Sequence, residues 1–263
     1  MRIILINLAR APERLQKMQE QFAAQGLGFE RLEATDGRLL TEQDRARVDN
    51  DARRHFTPYP LSDNEIGCWL SHWRAINDIA ESNFGMGAIV EDDVAFSADF
   101  AATLKAIESC NVPFDLIDLH RKLRKKEIFI PCHTLFPGMR LGRVGHSHMG
   151  ALGYVISREG ARKFVAYVSC FVHAVDKELH RYWANGMDLY GLERPVVAHA
   201  DDGHSYIEET RAQDNPGLRV RYPGADSLYW KSIRQYTQLC ESVRKRLAFA
   251  DYVREARRKG DTC

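Results

Sequence analysis

At 263 residues, 44% of them hydrophobic and 28% charged, the chain is long enough to bury a substantial core and has the make-up of a globular protein. A formal net charge of +1 excludes attraction to nucleic acid by the molecule as a whole, so polyanion binding must come from local patches. Six scattered cysteines without CxxC spacing argue against a disulfide framework or a structural zinc site, and make a reducing cytosol the simplest compartment.

In chain order, the first apolar run, Ile3 to Ile6, has a strand's length and meets Asn7 and Arg10 at once, too soon for a signal peptide. No later run reaches the roughly 20 apolar residues of a membrane span. Strands are expected at 2–6, 29–34, 86–90, 114–119, 151–156 and 195–198, and helices at 11–25, 64–82, 98–109, 158–168 and 175–185. The alternation predicts an α/β sheet covered by helices, one domain over 1–223. In the helix at 64–82, Ile66, Trp69, Leu70, Trp73 and Ile76 form the buried stripe after Ser62-Asp63-Asn64 as cap. Glu65, Cys68 and His72 share another face, so a carboxylate and an imidazole can meet a cleft there; on spacing alone the plainer reading leads, in which Glu65 serves the helix dipole and His72 is a satisfied half-buried residue. Residues 224–263 read as a basic amphipathic helical tail, fit either to lie on an anionic membrane or to dock on the domain by its aromatics.

The run from Met86 ends directly in Glu91, Asp92 and Asp93, and ligands of open α/β sheets bind beyond the carboxyl ends of strands. Adjacent carboxylates repel one another unless a cation compensates, and Mg²⁺ or Mn²⁺ prefers one or two carboxylates with phosphate oxygens and water. Alone, such a triplet reads more readily as a surface turn.

Other segments supply context. Ile4, Leu5, Ile6, Asn7, Leu8, Ala9 and Arg10, followed by Arg14, resemble the opening of glycosyltransferase family 25. So do the phrase from Phe29 to Gly37, the phrase from Glu65 to His72, the strand ending in Glu91-Asp92-Asp93, and the stretch from Gly150 to Ala161, all in order. The resemblance implies a GT-A type, Rossmann-like nucleotide-sugar-binding fold with a mixed central sheet, and a UDP-sugar donor, most readily UDP-galactose. It further implies inverting transfer to a lipopolysaccharide, lipooligosaccharide or other envelope glycan. It implies a divalent metal, Mn²⁺ or Mg²⁺, on Asp93 and Asp92; the chain departs from the family in having His199 where a glutamine is common, and His199 or His204 could complete the metal shell. The donor would be held by Asn7, Leu8, Arg10, Arg14, Asp36, Glu65, His72, Glu91, Asp92 and Gly150, and Asp176 would be the base that takes the acceptor's proton.

Each of these residues has a plainer reading: Arg14 as a solvated helix charge, Asp36-Gly37 as a turn, Gly150 as a strand-entry glycine, Asp176 as a helix N-terminal carboxylate, and the histidines as loop residues. The basic run from Arg121 to Lys126 suits a phosphorylated or acidic acceptor, or is a solvated loop. With the tail, it favours work at the inner face of a bacterial membrane on a glycolipid. The alternative is a nucleotide-sugar-binding or membrane-surface protein without turnover.

Overall fold

The computed structural model describes residues 1–120, 128–145, 150–200 and 220–260, with side chains to 255 in the last stretch. The basic run at 121–126 and His204 lie outside the described residues.

The apolar run at the start forms β1 (Arg2–Asn7), buried along almost its whole length because parallel neighbours flank it on both sides. These are β2 (Glu30–Glu33) and β3 (Met86–Glu91). The remaining strands are β4 (Val94–Phe96), β5 (Leu116–Asp118), β6 (Phe129–Phe136), β7 (Met139–Val144), β8 (Gly153–Ser157), β9 (Leu189–Leu192) and β10 (Val197–His199). Eight of them make one mixed sheet in the order β2-β1-β3-β8-β5-β9-β7-β6, in which β1-β2, β1-β3 and β5-β9 pair parallel and the other neighbours antiparallel. The predicted strand at 195–198 is not in this sheet. As β10 it pairs with β4, so that His199 lies opposite Val94, immediately after the acidic triplet.

Helices cover both faces. On one, α4 (Asp63–Glu81) and α6 (Arg158–Tyr167) bury Ile66, Trp69, Ile76, Ile79, Ala161 and Phe164 against Ile4, Ile89 and Ile156. On the other, α1 (Pro12–Ala24) and α5 (Phe100–Ser109) bury Met18, Phe22, Phe100, Leu104 and Ile107 against Leu5, Val90 and Val155. Alternate residues of each strand thus point to opposite cores. Pro12 opens α1, where its missing N–H removes no bond, and a capping box between Ser62 and Glu65 opens α4.

Short helices α2 (Glu42–Arg45) and α3 (Asn50–Arg54) precede α4. The helix expected over 175–185 is two pieces, α7 (Val175–Leu179) and α8 (Tyr182–Asn185). At the break His180 Nε2 meets Asp118 Oδ2 at 3.0 Å, while Arg181 donates to Glu178 at 2.9 Å and to Glu241 at 2.8 Å. These buried ion pairs override the helical pattern. A last helix, α9 (Leu228–Gly260), packs back on the domain. Its Tyr252 stacks on Tyr182 and donates to Met187 O at 3.0 Å, and its Glu241 accepts from Trp183 Nε1 at 2.9 Å.

Candidate active site

Beyond the carboxyl ends of β1 and β3 lies a cleft walled by the ends of those strands, the turn at 35–37 and the first turns of α4. Leu8, Arg10, Arg14, His72, Glu91, Asp92 and Asp93 line it, as do Thr35, Gly37, Asn64, Cys68 and Ser71. Close helix–turn contact shapes this wall: a Cβ on Gly67 would lie 2.6 Å from Thr35 O, and one on Gly37 2.5 Å from Asn64 Oδ1.

The structure gives the acidic triplet three different environments. Asp92 accepts from Asn7 Nδ2 at 2.6 Å and from Arg14 Nη1 at 3.1 Å, yet burial still raises its pKa above the usual carboxylate range. Asp93 is held more weakly, 3.9 Å from Arg14, and its Oδ1 is buried without a hydrogen-bond partner. Burial first, and then the negative charge of Glu91, push Asp93 up to about 7. Glu91 takes His72 Nε2 at 2.9 Å, and Cys68 Sγ lies 3.8 Å from the same Oε1. Burial works to raise Glu91, but His72, His199 and Cys68 outweigh it and the net shift is downward. His72 is in turn fixed by Tyr154, whose hydroxyl lies 2.9 Å from Nδ1.

An orphaned carboxylate oxygen beside two further carboxylates is the environment a hard divalent cation relieves. The residues at Asp92 and Asp93 therefore fit such an ion. His199 faces the same region: Ala200 N donates to Asp93 O at 3.0 Å, and the His199 charge acts on Glu91.

Other expected donor contacts fall elsewhere. Asn7 is 1% exposed and lies behind the cleft, donating to Ala11 O and Asp92 and accepting from Arg31. Asp36 caps the turn at 37–39 and binds Arg38 and Arg10; the Arg38 hydrogen bond, foremost, holds its carboxyl far below the usual range. Glu65 does not line the cleft, because its Oε2 accepts from Ser62 N at 2.8 Å and Ser62 Oγ at 3.0 Å to close the α4 cap. The plainer reading of Glu65 describes its position, whereas His72 does face the cleft.

Gly150, at φ +108°, donates its N–H to Asp176 Oδ2 at 2.8 Å, and Lys177 N donates to Asp176 Oδ1 at 2.7 Å. These two sequence candidates are thus joined to each other, outside the cleft lining; burial foremost, then the charge of Glu91 and only then that of Asp176, raises the Cys68 thiol. Sequence reading missed Thr35, Asn64, Ser71 and Tyr154. Asn64 stands beside a helix cap, and Thr35, Ser71 and Tyr154 fall within the family-like phrases, but nothing local gave any of them a role.

The fold and cleft define a Rossmann-like mixed α/β protein with an acidic, cation-compatible site at the ends of its parallel strands. The profile of glycosyltransferase family 25 (LPS biosynthesis protein) matches residues 1–179, and the chain belongs to that family. Procollagen galactosyltransferase 1-B of Xenopus laevis is 30% identical over 171 residues, 62% of this chain and 28% of the relative. A glycosyltransferase 25 family member of Drosophila pseudoobscura pseudoobscura is 35% identical over 176 residues, 62% of this chain and 27% of the relative. A Bos taurus protein named "Probable inactive glycosyltransferase 25 family member 3" is 30% identical over 173 residues, 62% and 28%. The matched region spans under a third of the length of these curated relatives.

Proposed function

We propose that this chain is a glycosyltransferase that moves a sugar, most readily galactose from UDP-galactose, onto a hydroxyl of an envelope glycan of the lipopolysaccharide type, with inversion and with help from Mn²⁺ or Mg²⁺. The observation that carries the reading is the convergence of Glu91, Asp92 and Asp93 with Arg10 and Arg14 in one cleft at the strand ends. Family membership and the galactosyltransferase names among the relatives support it.

In this reading Asp92 and Asp93, with His199 beside them, hold the cation. When bound, the cation neutralises charge that develops on the departing diphosphate. Arg14 bridges the carboxylates and the diphosphate, and Arg10 adds positive charge at the other rim. Glu91, oriented by His72, accepts from ribose or sugar hydroxyls. Asp176, whose two oxygens are already aimed by backbone N–H groups, removes the acceptor proton as the new bond forms. The exposed basic face of α9 suits work at an anionic membrane surface, the cytoplasmic face of a bacterial inner membrane in this reading.

The test is a screen of UDP-, GDP- and CMP-sugars for binding and hydrolysis, with and without Mn²⁺, on the wild type and on Asp93→Ala. UDP-galactose is expected to give the strongest signal, and Asp93→Ala to abolish metal-dependent turnover in a folded protein. Cleavage of no sugar nucleotide under any metal condition removes the transferase reading. A second reading, donor binding without turnover, is favoured by the name of the Bos taurus relative. Binding without hydrolysis or transfer in the same screen selects it.

A further inference from the structure

The cleft contains a second group of potential ligands that the proposed diphosphate cation does not use. Cys68 and His72 stand one turn apart on α4, and Glu91 reaches them from the end of β3. Cys68 Sγ, His72 Nε2 and a Glu91 carboxylate oxygen all lie within 4.8 Å of one another, with Sγ to Oε1 at 3.8 Å and Nε2 to Oε1 at 2.9 Å. Tetrahedral zinc bound by sulfur, nitrogen and oxygen sets its ligands about 3.3–3.6 Å apart. The two contacts to Glu91 bracket that range and sulfur and nitrogen lie within 4.8 Å of each other, so side-chain adjustments of about an ångström bring the three atoms onto one ion.

A further contact matches what zinc sites require. A ligating histidine usually has its other ring nitrogen fixed by a hydrogen-bond partner, which sets the tautomer. Here Tyr154 holds Nδ1 at 2.9 Å and leaves Nε2 pointing at Glu91. All three candidate ligands also line the cleft, so a fourth position opens toward water or substrate, the pattern of a zinc site that is not purely structural.

The geometry points to a Zn²⁺ site at Cys68, His72 and Glu91, separate from the hard-cation site at Asp92 and Asp93 and open to the donor cleft. A thiolate–imidazole–carboxylate set selects a borderline-soft ion over Mg²⁺. On binding, the thiol proton leaves to solvent and sulfur donates its lone pair. His72 binds through Nε2 with its ring proton on Nδ1, donated to the Tyr154 oxygen. Glu91 Oε1 exchanges its hydrogen bond from His72 Nε2–H for the ion, that proton passing by way of solvent to Nδ1 as the ring changes tautomer, while Oε2 stays available to a donor hydroxyl; no oxidation occurs.

Titration of the full chain with Co²⁺ under reducing conditions reads the site directly. A near-ultraviolet thiolate-to-cobalt charge-transfer band is expected to saturate at one equivalent and to disappear on adding Zn²⁺. Cys68→Ser is expected to lose the band and Asp93→Ala to keep it. Absence of the band in the wild type, or its persistence in Cys68→Ser, overturns the assignment. Because Cys68→Ser can perturb folding, a measurement on the unaltered chain runs in parallel. Zn²⁺ is expected to slow alkylation of Cys68, followed by mass spectrometry, at least tenfold more than that of Cys110, Cys132, Cys170 or Cys240. Equal slowing of all five also overturns it. Neither readout involves sugar transfer, so failure of the proposed activity and failure of this site are distinguishable.

Discussion

At the scale of single residues, the cleft concentrates groups whose environment disfavours their charge. Asp93 is the clearest, with a buried Oδ1 lacking a partner and the charges of Glu91 and Asp92 acting on it. Without a cation, replacing it by asparagine removes buried charge repulsion and keeps the shape. Asp93→Asn is therefore expected to raise the unfolding free energy in EDTA by about 1–3 kcal/mol while abolishing metal-dependent turnover. Chemical denaturation in chelator checks this, and a variant less stable than wild type would contradict the account of the triplet. His173 presents the opposite case away from the cleft. Burial, and then Lys177, Arg181 and Arg53, push its pKa down to about 2, and its ring packs edge-on against Phe56. The folded state binds the proton less well than the unfolded chain, so stability falls as pH drops below the unfolded value near 6.5. Unfolding free energy between pH 6 and 4 is expected to fall by up to about 1.4 kcal/mol per unit from this group. His173→Phe keeps a ring against Phe56 and should flatten that part of the profile; an unchanged slope would acquit His173.

Among the elements, α4 links the core to the chemistry, because one face carries Trp69 and Ile76 into the interior and another presents Cys68 and His72 to the cleft. Its placement depends on Gly67, where a Cβ would sit 2.6 Å from Thr35 O and 3.0 Å from Gly37 N. Helix propensity alone would make Gly67→Ala stabilising by about 1 kcal/mol. The backbone contact should outweigh that gain, since overpacking costs about 1–3 kcal/mol and neither the helix nor the turn can yield locally. A lower melting temperature together with weaker donor binding is expected, and a melting temperature at or above wild type would mean that the turn gives way freely.

The same helix marks what could be read in the sequence. Its stripe and cap were legible because both are local patterns, as were the continuous apolar runs of β1 and β3. Strand β6 was not, since Pro131, His133 and Thr134 break the apolar pattern of an edge strand with irregular register, which tolerates them. Nor was β9, four residues with a glycine inside. In the site, the triplet was legible because its carboxylates adjoin a strand end. The Arg14–Asp92 and Cys68–His72–Glu91 contacts were not, because they join distant segments through the fold. For Glu65 the sequence left a cleft role and a helix-terminus role both open, because a cap glutamate and a cleft glutamate look alike until the Ser62 contact is seen.

Over the whole molecule, the near-zero net charge hides an uneven distribution. Helix α9 carries nine lysines and arginines against three acidic residues in its sequence, and two of those acids face arginines of the domain. Glu241 accepts from Arg181 at 2.8 Å, and Glu255 lies 3.9 Å from Arg143. The third, Asp251, pairs with Arg254 on the helix itself. Docking thus engages the negative charge and leaves Lys231 and Arg246 outward, alongside Tyr236, Leu239, Val243 and Leu247. These four apolar residues recur at helical spacing along one exposed stripe. No described helix is long and apolar enough to cross a membrane, so contact with a bilayer through α9 would be along its surface. A surface contact of this kind requires both the stripe and anionic headgroups. Binding to vesicles containing an anionic phospholipid is therefore expected to exceed binding to neutral vesicles and to weaken with salt. Leu239→Gln with Leu247→Gln should reduce it at least tenfold, because both side chains are 63% exposed and would enter the interface, each contributing on the order of 1 kcal/mol. The same exposure means that the melting temperature should be unchanged, which separates loss of membrane contact from loss of fold. Co-sedimentation with the two vesicle types decides the matter: equal binding of the double variant, or indifference to lipid charge, would leave α9 as a docked helix with a solvated face.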